Sequence, residues 1–314
     1  MLRMILSIRG LAWTSVLGTL LLAVCVLPKA MSQEGNASPA AIGSPSSSAQ
    51  SQDELHLVPV TDARGNVVQL RARICRPAGD VPARLVVINH GSPRNALARP
   101  TMQLGRCDAE AAQWFLSRGY VVVFALRRGY GETGGDWAEN YGGCARADYV
   151  RAGIETARDI EAVVSYATAL PFVLRDGAVV VGQSAGGWGT IAYDSLPHPR
   201  VGAFVVMAGG RGGHENNQKN ENCHSERLVE AARFFGRSAS TPMLWVYAIN
   251  DSYFAPSLGR ALWQAFTAAG GKADLKEPGP YGDDGHHLFF GPGGSAVWGP
   301  LVEQYLSERL TGAN

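Results

Sequence analysis

The sequence predicts an α/β domain in which a mostly parallel sheet is covered by helices on both faces. Short apolar runs, many rich in valine, recur along the chain with few polar residues inside them, as strands buried on both faces require. Segments of helical length separate these runs. The composition agrees, because 46% of the residues are hydrophobic and 18% are charged, which suits a folded domain with a substantial core.

The elements follow one another as expected of strand–helix–strand units. Asp108 is expected to cap the first helix, Gly119 to follow its end, and Pro171 to end the long second helix. Right-handed crossovers would bring the carboxyl ends of the strands to one edge of the sheet, so a site is expected in the loops there. The predicted strands cover residues 67–74, 84–89, 120–126, 178–181, 201–207, 243–249 and 273–276. The predicted helices cover residues 108–117, 147–169, 185–195, 256–269 and 296–310.

The first 54 residues are predicted to lie outside the folded domain. Residues 1–32 combine a basic start, an apolar run and small residues before Gln33, which is the pattern of a cleaved signal peptide; a retained membrane anchor is the alternative. Residues 33–54 form a Ser- and Pro-rich linker with little to bury. The catalytic domain is expected over residues 55–314, exported to the periplasm or secreted, with no stable membrane insertion after signal cleavage.

The charge and the cysteine spacing argue against several classes of function. The net charge is +1, and removing residues 1–32 takes away three basic and no acidic residues, which leaves −2. Without a run of like charge, the sequence predicts binding neither to nucleic acid nor to an anionic membrane surface. The cysteines beyond the signal are compatible with two disulfides in three possible pairings and show no Cys-x-x-Cys zinc spacing. They are Cys75, Cys107, Cys144 and Cys223.

A candidate nucleophile lies where the predicted strand 178–181 meets a helix. The sequence there, Gly-Gln-Ser-Ala-Gly, is the G-x-S-x-G pattern of a nucleophile elbow and places Ser184 at its centre. A tight strand-to-helix turn would hold the serine oxygen at the helix N-terminus, where the dipole favours developing negative charge. The alternative is a glycine-rich turn with an incidental serine, but the apolar strand before the motif and the small residues after it favour the elbow.

A serine nucleophile needs a base and an orienting carboxylate, expected in the order Ser, acid, His. Asp251 follows the predicted strand 243–249 at the correct edge; a helix-capping aspartate is the alternative. Of the seven histidines, only His286 and His287 lie after that acid and before the last helix. We favour His286, because Gly285 before it lets the backbone turn the imidazole toward the serine, with His287 as the substitute.

The oxyanion formed by serine attack needs preset amide donors. Ala185, directly after the nucleophile, should supply one, and Ser92 in the loop after the strand 84–89 should supply the other. In the same loop, His90 is expected to shape the backbone rather than to act as a base, and Gly91 to allow a close approach.

At these residues the chain resembles the α/β-hydrolase superfamily, most closely the dienelactone hydrolase and prolyl-oligopeptidase-like branch. The resemblance covers about residues 55–310 and implies a Ser–Asp–His triad that hydrolyses ester or acyl bonds without a metal or organic cofactor. Dienelactone hydrolases use a cysteine nucleophile, so Ser184 speaks against that particular reaction. The matching stretches are residues 90–93, 127–131 and 182–187, Asp251, and residues 284–286.

Residues near the same edge are candidates for substrate contacts. Tyr130 and Trp188 are expected to line the pocket, and Arg127 or Arg128 could hold a substrate carboxylate, although arginines in such loops are more often structural. Residues 209–222 are expected to be too polar to pack against the domain. They could form either a mobile lid or a solvated loop.

Three functions compete at this stage. A carboxylesterase acting on a small ester through an acyl-enzyme is favoured over a peptidase of short peptides, because a prolyl-oligopeptidase-type enzyme usually carries a further gating domain that this chain has no room for. A non-catalytic binding module on the same fold is the third. The sequence leaves the natural substrate, the acyl chain length and the oligomeric state open.

Overall fold

The computed structural model of the protein describes residues 52–79 and 81–310. The predicted signal peptide and most of the predicted linker lie outside the described residues, as do residue 80 and residues 311–314. Among the helices that are described, none is both long and apolar enough to cross a membrane.

The described strands form one eight-stranded sheet in the order β1-β2-β4-β3-β5-β6-β7-β8. Strands β1 and β2 pair with each other antiparallel, as do β2 and β4, whereas the pairs from β4 through β3 and β5 to β8 are parallel. The strands are β1 (Gln52–Thr61), β2 (Val67–Arg76), β3 (Leu85–Asn89), β4 (Val121–Leu126), β5 (Ala178–Gln183), β6 (Val201–Met207), β7 (Met243–Val246) and β8 (Ala273–Lys276). The predicted mostly parallel sheet is thereby confirmed.

Six described α-helices cover the two faces of the sheet. They are α1 (Glu110–Leu116), α2 (Tyr149–Ala167), α3 (Ala185–Asp194), α4 (Ser225–Gly236), α5 (Pro256–Ala268) and α6 (Ser295–Leu310). Strand β5 shows how both faces are filled, because Ala178 and Val180 pack in the core with α2 to α5, while Val179 and Val181 pack in the core with α1 and α6. A central strand with two apolar faces must lack alternation, which is why its sequence reads as one continuous apolar run.

Three features depart from the expected elements. Strand β1 starts at Gln52, so residues 52–54, expected in the linker, pair with β2. Helix α4 is an additional helix that follows the polar segment after β6. Asp108 does not cap α1, because Ala109 is the N-cap residue and the Asp108 carboxylate instead accepts a hydrogen bond from Arg106 Nε at 2.8 Å.

Of the three possible cysteine pairings, the structure has the one with disulfides Cys75–Cys107 and Cys144–Cys223. The first joins β2 to the segment before α1, and the second joins the turn before α2 to the segment before α4. The second disulfide therefore anchors the end of the polar segment that follows β6.

Candidate active site

Ser184 lies in a strained turn between β5 and α3. Its backbone has φ 55° and ψ −118°, a conformation that a non-glycine residue adopts only at a cost of about 1–3 kcal/mol. Backbone hydrogen bonds hold the strain, since the Ser184 amide donates to Met207 O at 3.0 Å and its carbonyl accepts from the amides of Trp188 and Gly210. The hydroxyl is thereby fixed at the first turn of α3, on the carboxyl edge of the sheet.

Gly186 shows why the elbow needs a glycine after the serine. A Cβ atom at this position would lie 2.4 Å from Asn89 O and 2.6 Å from His90 O, well inside van der Waals contact. Any side chain here would push α3 away from the end of β3. The local sequence therefore fixes how closely the candidate nucleophile approaches the loop that follows β3.

Asp251 and His286 form the second part of the site. The Nδ1 atom of His286 lies 3.0 Å from Asp251 Oδ2, and both side chains are buried. The other carboxylate oxygen, Oδ1, accepts the amides of Tyr253 at 2.7 Å and Phe254 at 2.8 Å. Because these two amides fix the carboxylate, it can orient the imidazole and keep the proton on Nδ1, which leaves Nε2 as the basic nitrogen.

Two contacts place His286 beside the elbow. The side-chain amide of Gln183 donates to His286 O at 3.0 Å, and the imidazole stacks on the Tyr253 ring at 4.1 Å. Tyr253 lines the same cavity as Ser184. The Ser184 hydroxyl and the His286 imidazole, both within the described residues, form no hydrogen bond with each other.

Asp284 sets the backbone that carries His286, a role that the sequence did not reveal. Its Oδ1 accepts the amides of His286 and Ser252, each at 3.0 Å, and its Oδ2 accepts the Ser252 hydroxyl. Burial raises the pKa of Asp284, but these hydrogen bonds outweigh it and hold the pKa below its usual value. His287, the alternative base, is exposed, and the carboxylate of Asp251 bonds to His286 instead.

The expected oxyanion donors border the same cavity as the serine. Ser92 and Ala185 both line it, and among the described residues neither of their amides donates a hydrogen bond. Gly91 permits this arrangement, because a Cβ atom there would lie 2.4 Å from Gln183 Oε1 and 3.0 Å from Ser184 Cβ. Two amides without a partner beside a serine hydroxyl can together stabilise a developing oxyanion.

Neither aromatic residue expected in the pocket lines it. Trp188 is fully buried on α3, where its Nε1 donates to Tyr149 O at 2.8 Å and its ring contacts Phe235. Tyr130 is also fully buried, and its hydroxyl donates to the carboxylate of Glu139 and accepts from the Ser92 hydroxyl. Tyr130 thus supports the loop that carries Ser92 from behind.

The two arginines after β4 are structural, as such loop arginines usually are. Arg127 Nε donates to Glu139 Oε2 at 2.7 Å, and Arg128 Nε donates to Asp159 Oδ1 at 2.6 Å, all four side chains being buried. Burial raises the pKa of Asp159 to about 6 although Arg128 opposes this shift. Burial also acts to raise the pKa of Glu139, but neighbouring guanidinium groups outweigh it and hold that pKa well below its usual value.

Residues 209–215 are buried or half-buried beside the site, whereas residues 216–221 are exposed. The expectation of a segment too polar to pack is therefore wrong for the first half of residues 209–222. Arg211 is 3% exposed and pairs with Glu139 at 2.8 Å, while Gly213 and Asn222 form an antiparallel bridge. His214 Nε2 donates to Ser252 Oγ at 2.8 Å, and the His214 ring stacks on Tyr253 at 3.8 Å. Internal ion pairing, hydrogen bonding and stacking replace the apolar contacts that the sequence lacks.

These elements enclose a cavity of about 260 Å³ next to Ser184. Aromatic, glycine and arginine residues form most of its wall. The lining residues are Ser92, Pro93, Arg94, Ala96, Arg99, Trp137, Tyr141, Ser184, Ala185, Gly210, Arg211, Gly212, Gly213, Tyr253 and Phe254.

One cluster with the spacing of metal ligands occurs among the described residues, formed by Cys144, Glu215 and Cys223. The two cysteines are joined in a disulfide, so neither sulfur is available as a thiolate ligand. The donor set therefore does not fit a metal ion.

Comparisons with known proteins agree with this architecture. The sequence profile of the prolyl oligopeptidase family matches residues 107–201, which include Ser184 but neither Asp251 nor His286. No curated protein sequence matches the chain.

Solved structures share the fold at low sequence identity. An acylaminoacyl peptidase of Pyrococcus horikoshii has a TM-score of 0.62 and 15% identity over 84% of this chain, and the chain spans only 42% of that peptidase. An esterase of Pyrococcus furiosus has a TM-score of 0.53 and 14% identity over 82% of this chain and 93% of the esterase. A Klebsiella pneumoniae protein assigned as a dienelactone hydrolase has a TM-score of 0.51 and 15% identity, over 82% of this chain and 98% of that protein.

Proposed function

We propose that this chain, which has the α/β-hydrolase fold, is a serine hydrolase that cleaves an acyl bond, with a carboxylic ester as the favoured substrate. The observation that carries the proposal is the buried hydrogen bond between Asp251 and His286 beside a serine in a strained elbow. A carboxylate that fixes the Nδ1 proton of an imidazole has a direct use in serine catalysis, because it leaves Nε2 free to accept a proton.

The proposed reaction begins with attack of Ser184 Oγ on the acyl carbon while His286 Nε2 takes the hydroxyl proton. The negative oxygen of the tetrahedral intermediate is held by the amides of Ser92 and Ala185. Collapse of the intermediate breaks the acyl bond, the imidazolium protonates the leaving group, and an acyl-enzyme remains. Water then attacks the acyl-enzyme with His286 as the base, which releases the acid and restores the serine.

An ester is the favoured substrate because the match to an esterase extends over 93% of the length of that esterase. A peptidase of short peptides is the second candidate, supported by the match of residues 107–201 to the prolyl oligopeptidase family.

Labelling with a fluorophosphonate tests the nucleophile. The wild type should be labelled and Ser184→Ala should not, whereas Ser195→Ala should be labelled like the wild type. Ser195 is a suitable control because its hydroxyl bonds to Ala192 O at the far end of α3. Absence of labelling in the wild type would favour a binding module.

Substrate choice and the identity of the base need a kinetic comparison. We expect hydrolysis of 4-nitrophenyl esters to exceed that of proline-containing anilides, and a peptidase would show the reverse. His286→Ala should abolish ester hydrolysis, whereas His287→Ala, which removes an exposed imidazole, should leave it within about twofold of the wild type. Equal loss in both histidine variants would contradict the assignment of His286.

We further propose that the protein is exported. The two disulfides support this proposal, because disulfides persist in oxidising compartments and are rare in reducing ones. Fusion of residues 1–54 to an alkaline phosphatase that is active only after export should give activity, and a fusion that starts at residue 33 should not.

A further inference from the structure

The cavity beside Ser184 has a strongly one-sided charge. Arg94, Arg99 and Arg211 line it, and none of the lining residues is acidic. Arginines in a binding site that lack carboxylate partners are a common means of holding a substrate anion. Whether these three are free for that purpose depends on the partners that each one has.

Arg211 shares its counter-ion with another arginine. Its Nη2 lies 2.8 Å from Glu139 Oε1, but the same carboxylate also accepts two hydrogen bonds from Arg127. Two buried guanidinium groups thus share one carboxylate as their hydrogen-bond partner. The Nε atom of Arg211 is buried and has no hydrogen-bond partner among the described residues. A buried donor without a partner is costly unless a ligand satisfies it.

Arg94 and Arg99 form no ion pair with a carboxylate in the described part of the chain. Arg94 Nη1 lies 3.3 Å from His214 Nδ1, and the guanidinium of Arg99 lies over the Trp137 ring at 3.8 Å. Burial, followed by the charge of Arg94, lowers the pKa of His214 below its usual value. His214 therefore accepts from Arg94 as a neutral ring, and neither arginine has a carboxylate partner at the cavity.

We propose that the substrate carries a carboxylate close to the scissile acyl bond, and that Arg94, Arg99 and Arg211 bind this carboxylate. The inference rests on the proposed function, since it names the substrate class of the same site. The cavity of about 260 Å³ is small for a ligand pocket, so the part of the substrate that it holds is a small one. The planar guanidinium groups would orient the carboxylate and thereby the acyl carbon above Ser184 Oγ.

Two pairs of substrates, matched in shape and differing in charge, test the proposal. Mono-4-nitrophenyl adipate and 4-nitrophenyl adipamate place a carboxylate or its carboxamide isostere on the acyl side. Sodium 4-acetoxybenzoate and 4-acetoxybenzamide place the same two groups on the leaving-group side. The readout is the ratio of kcat/KM for the carboxylate member to kcat/KM for the carboxamide member, so a general loss of activity cancels.

We expect the wild type to prefer the carboxylate member of at least one pair by about tenfold, the size of a charge-assisted hydrogen bond. Arg94→Gln and Arg99→Gln should each bring this ratio toward one. Arg175→Gln is the matched control, because it removes the same charge from an exposed site before the amino end of β5 and should leave the ratio unchanged. The pair that shows the preference identifies the side of the bond that carries the carboxylate.

A binding measurement separates this inference from the proposed reaction. In Ser184→Ala, calorimetry should show that 4-acetoxybenzoate or mono-4-nitrophenyl adipate binds about tenfold more tightly than its carboxamide, and that Arg99→Gln in the same background removes the difference. If no ester is hydrolysed but this binding preference is found, the proposed function is refuted, and the part of the inference that survives is the binding of a carboxylate by the arginines. Equal rates and equal affinities within both pairs, or ratios that the arginine variants leave unchanged, would overturn the inference and keep the hydrolase.

Discussion

The free energy of unfolding should fall in mild acid, because His90 takes up a proton in the unfolded chain but stays neutral in the folded one. The Nδ1 atom of His90 donates to Gly91 O at 2.7 Å, since a carbonyl only accepts, and its Nε2 accepts the Arg127 amide at 3.3 Å. A second proton on Nε2 would therefore face an N–H donor. Burial, and then the positive charge of Arg127, lower the pKa of His90 from 6.5 to about 3.

The sign and size of the effect follow from proton linkage. In the unfolded chain His90 takes up its proton near the reference pKa of about 6.5, whereas in the folded chain it stays neutral down to about 3. Between these values the unfolded state holds one proton more, so the free energy of unfolding falls by about 1.4 kcal/mol for each pH unit of acidification. From pH 7.5 to pH 5 the loss amounts to about 2 kcal/mol as an upper bound.

Urea unfolding followed by tryptophan fluorescence at pH 7.5, 6.5, 5.5 and 5.0 measures this loss. We expect the wild type to lose about 2 kcal/mol more than His90→Gln over this range, because every other group titrates alike in the two proteins. His287→Gln, which removes an exposed imidazole, should follow the wild type. Parallel stability curves for the wild type and His90→Gln would refute the assignment of a neutral, half-buried His90.

Three further perturbations address the relay, the buried charge and the disulfide. Asp251→Asn should lower kcat of ester hydrolysis by about 10³–10⁴-fold while the melting temperature changes little, because an amide no longer fixes the tautomer of His286; a loss below tenfold would exclude the relay. Glu139→Gln should lower the free energy of unfolding by about 3–5 kcal/mol, measured in urea, because it strands two buried guanidinium groups; a change below 1 kcal/mol would contradict their burial. Cys144→Ser combined with Cys223→Ser should cost about 2–4 kcal/mol, and dithiothreitol should then destabilise this variant less than the wild type.

The parallel part of the sheet could be predicted because each of its strands is recognisable from its own short stretch of sequence. Strands such as β5 need apolar residues on both faces, so each one stands out as a short continuous run. Strand β1 carries no such signal, since it pairs on one side only, alternates exposed and buried residues, and follows a Ser-rich stretch. Helix α4 was hidden for a similar reason, because it buries one stripe only and follows a polar segment.

The candidate triad could be read from chain order, but pocket contacts could not. Ser184, Asp251 and His286 each follow a strand end, and strand ends on one edge meet whatever the details of packing. The direction of a side chain is set by its tertiary neighbours instead. Trp188 lies one helical turn after Ser184, yet its indole points to Tyr149 O in the core. Nothing in the sequence near Trp188 reveals that partner.

The charge of the cavity likewise could not be predicted from the sequence, because it depends on which arginines form ion pairs with carboxylates in the folded protein. The sequence offers Arg127 and Arg128 next to a strand end, where a substrate anion would be expected, but Glu139 and Asp159 neutralise them from positions 12 and 31 residues further along the chain. Because Glu139 also pairs with Arg211, Arg127 and Arg211 share one carboxylate. Arg94 and Arg99, which line the cavity as Arg211 does, have no carboxylate partner among the described residues. A shortage of acids at a site can be counted only once every ion pair is known. These ion pairs explain why the cavity is lined by arginines and by no acidic residue. The residues proposed to carry out the reaction are the same in either case.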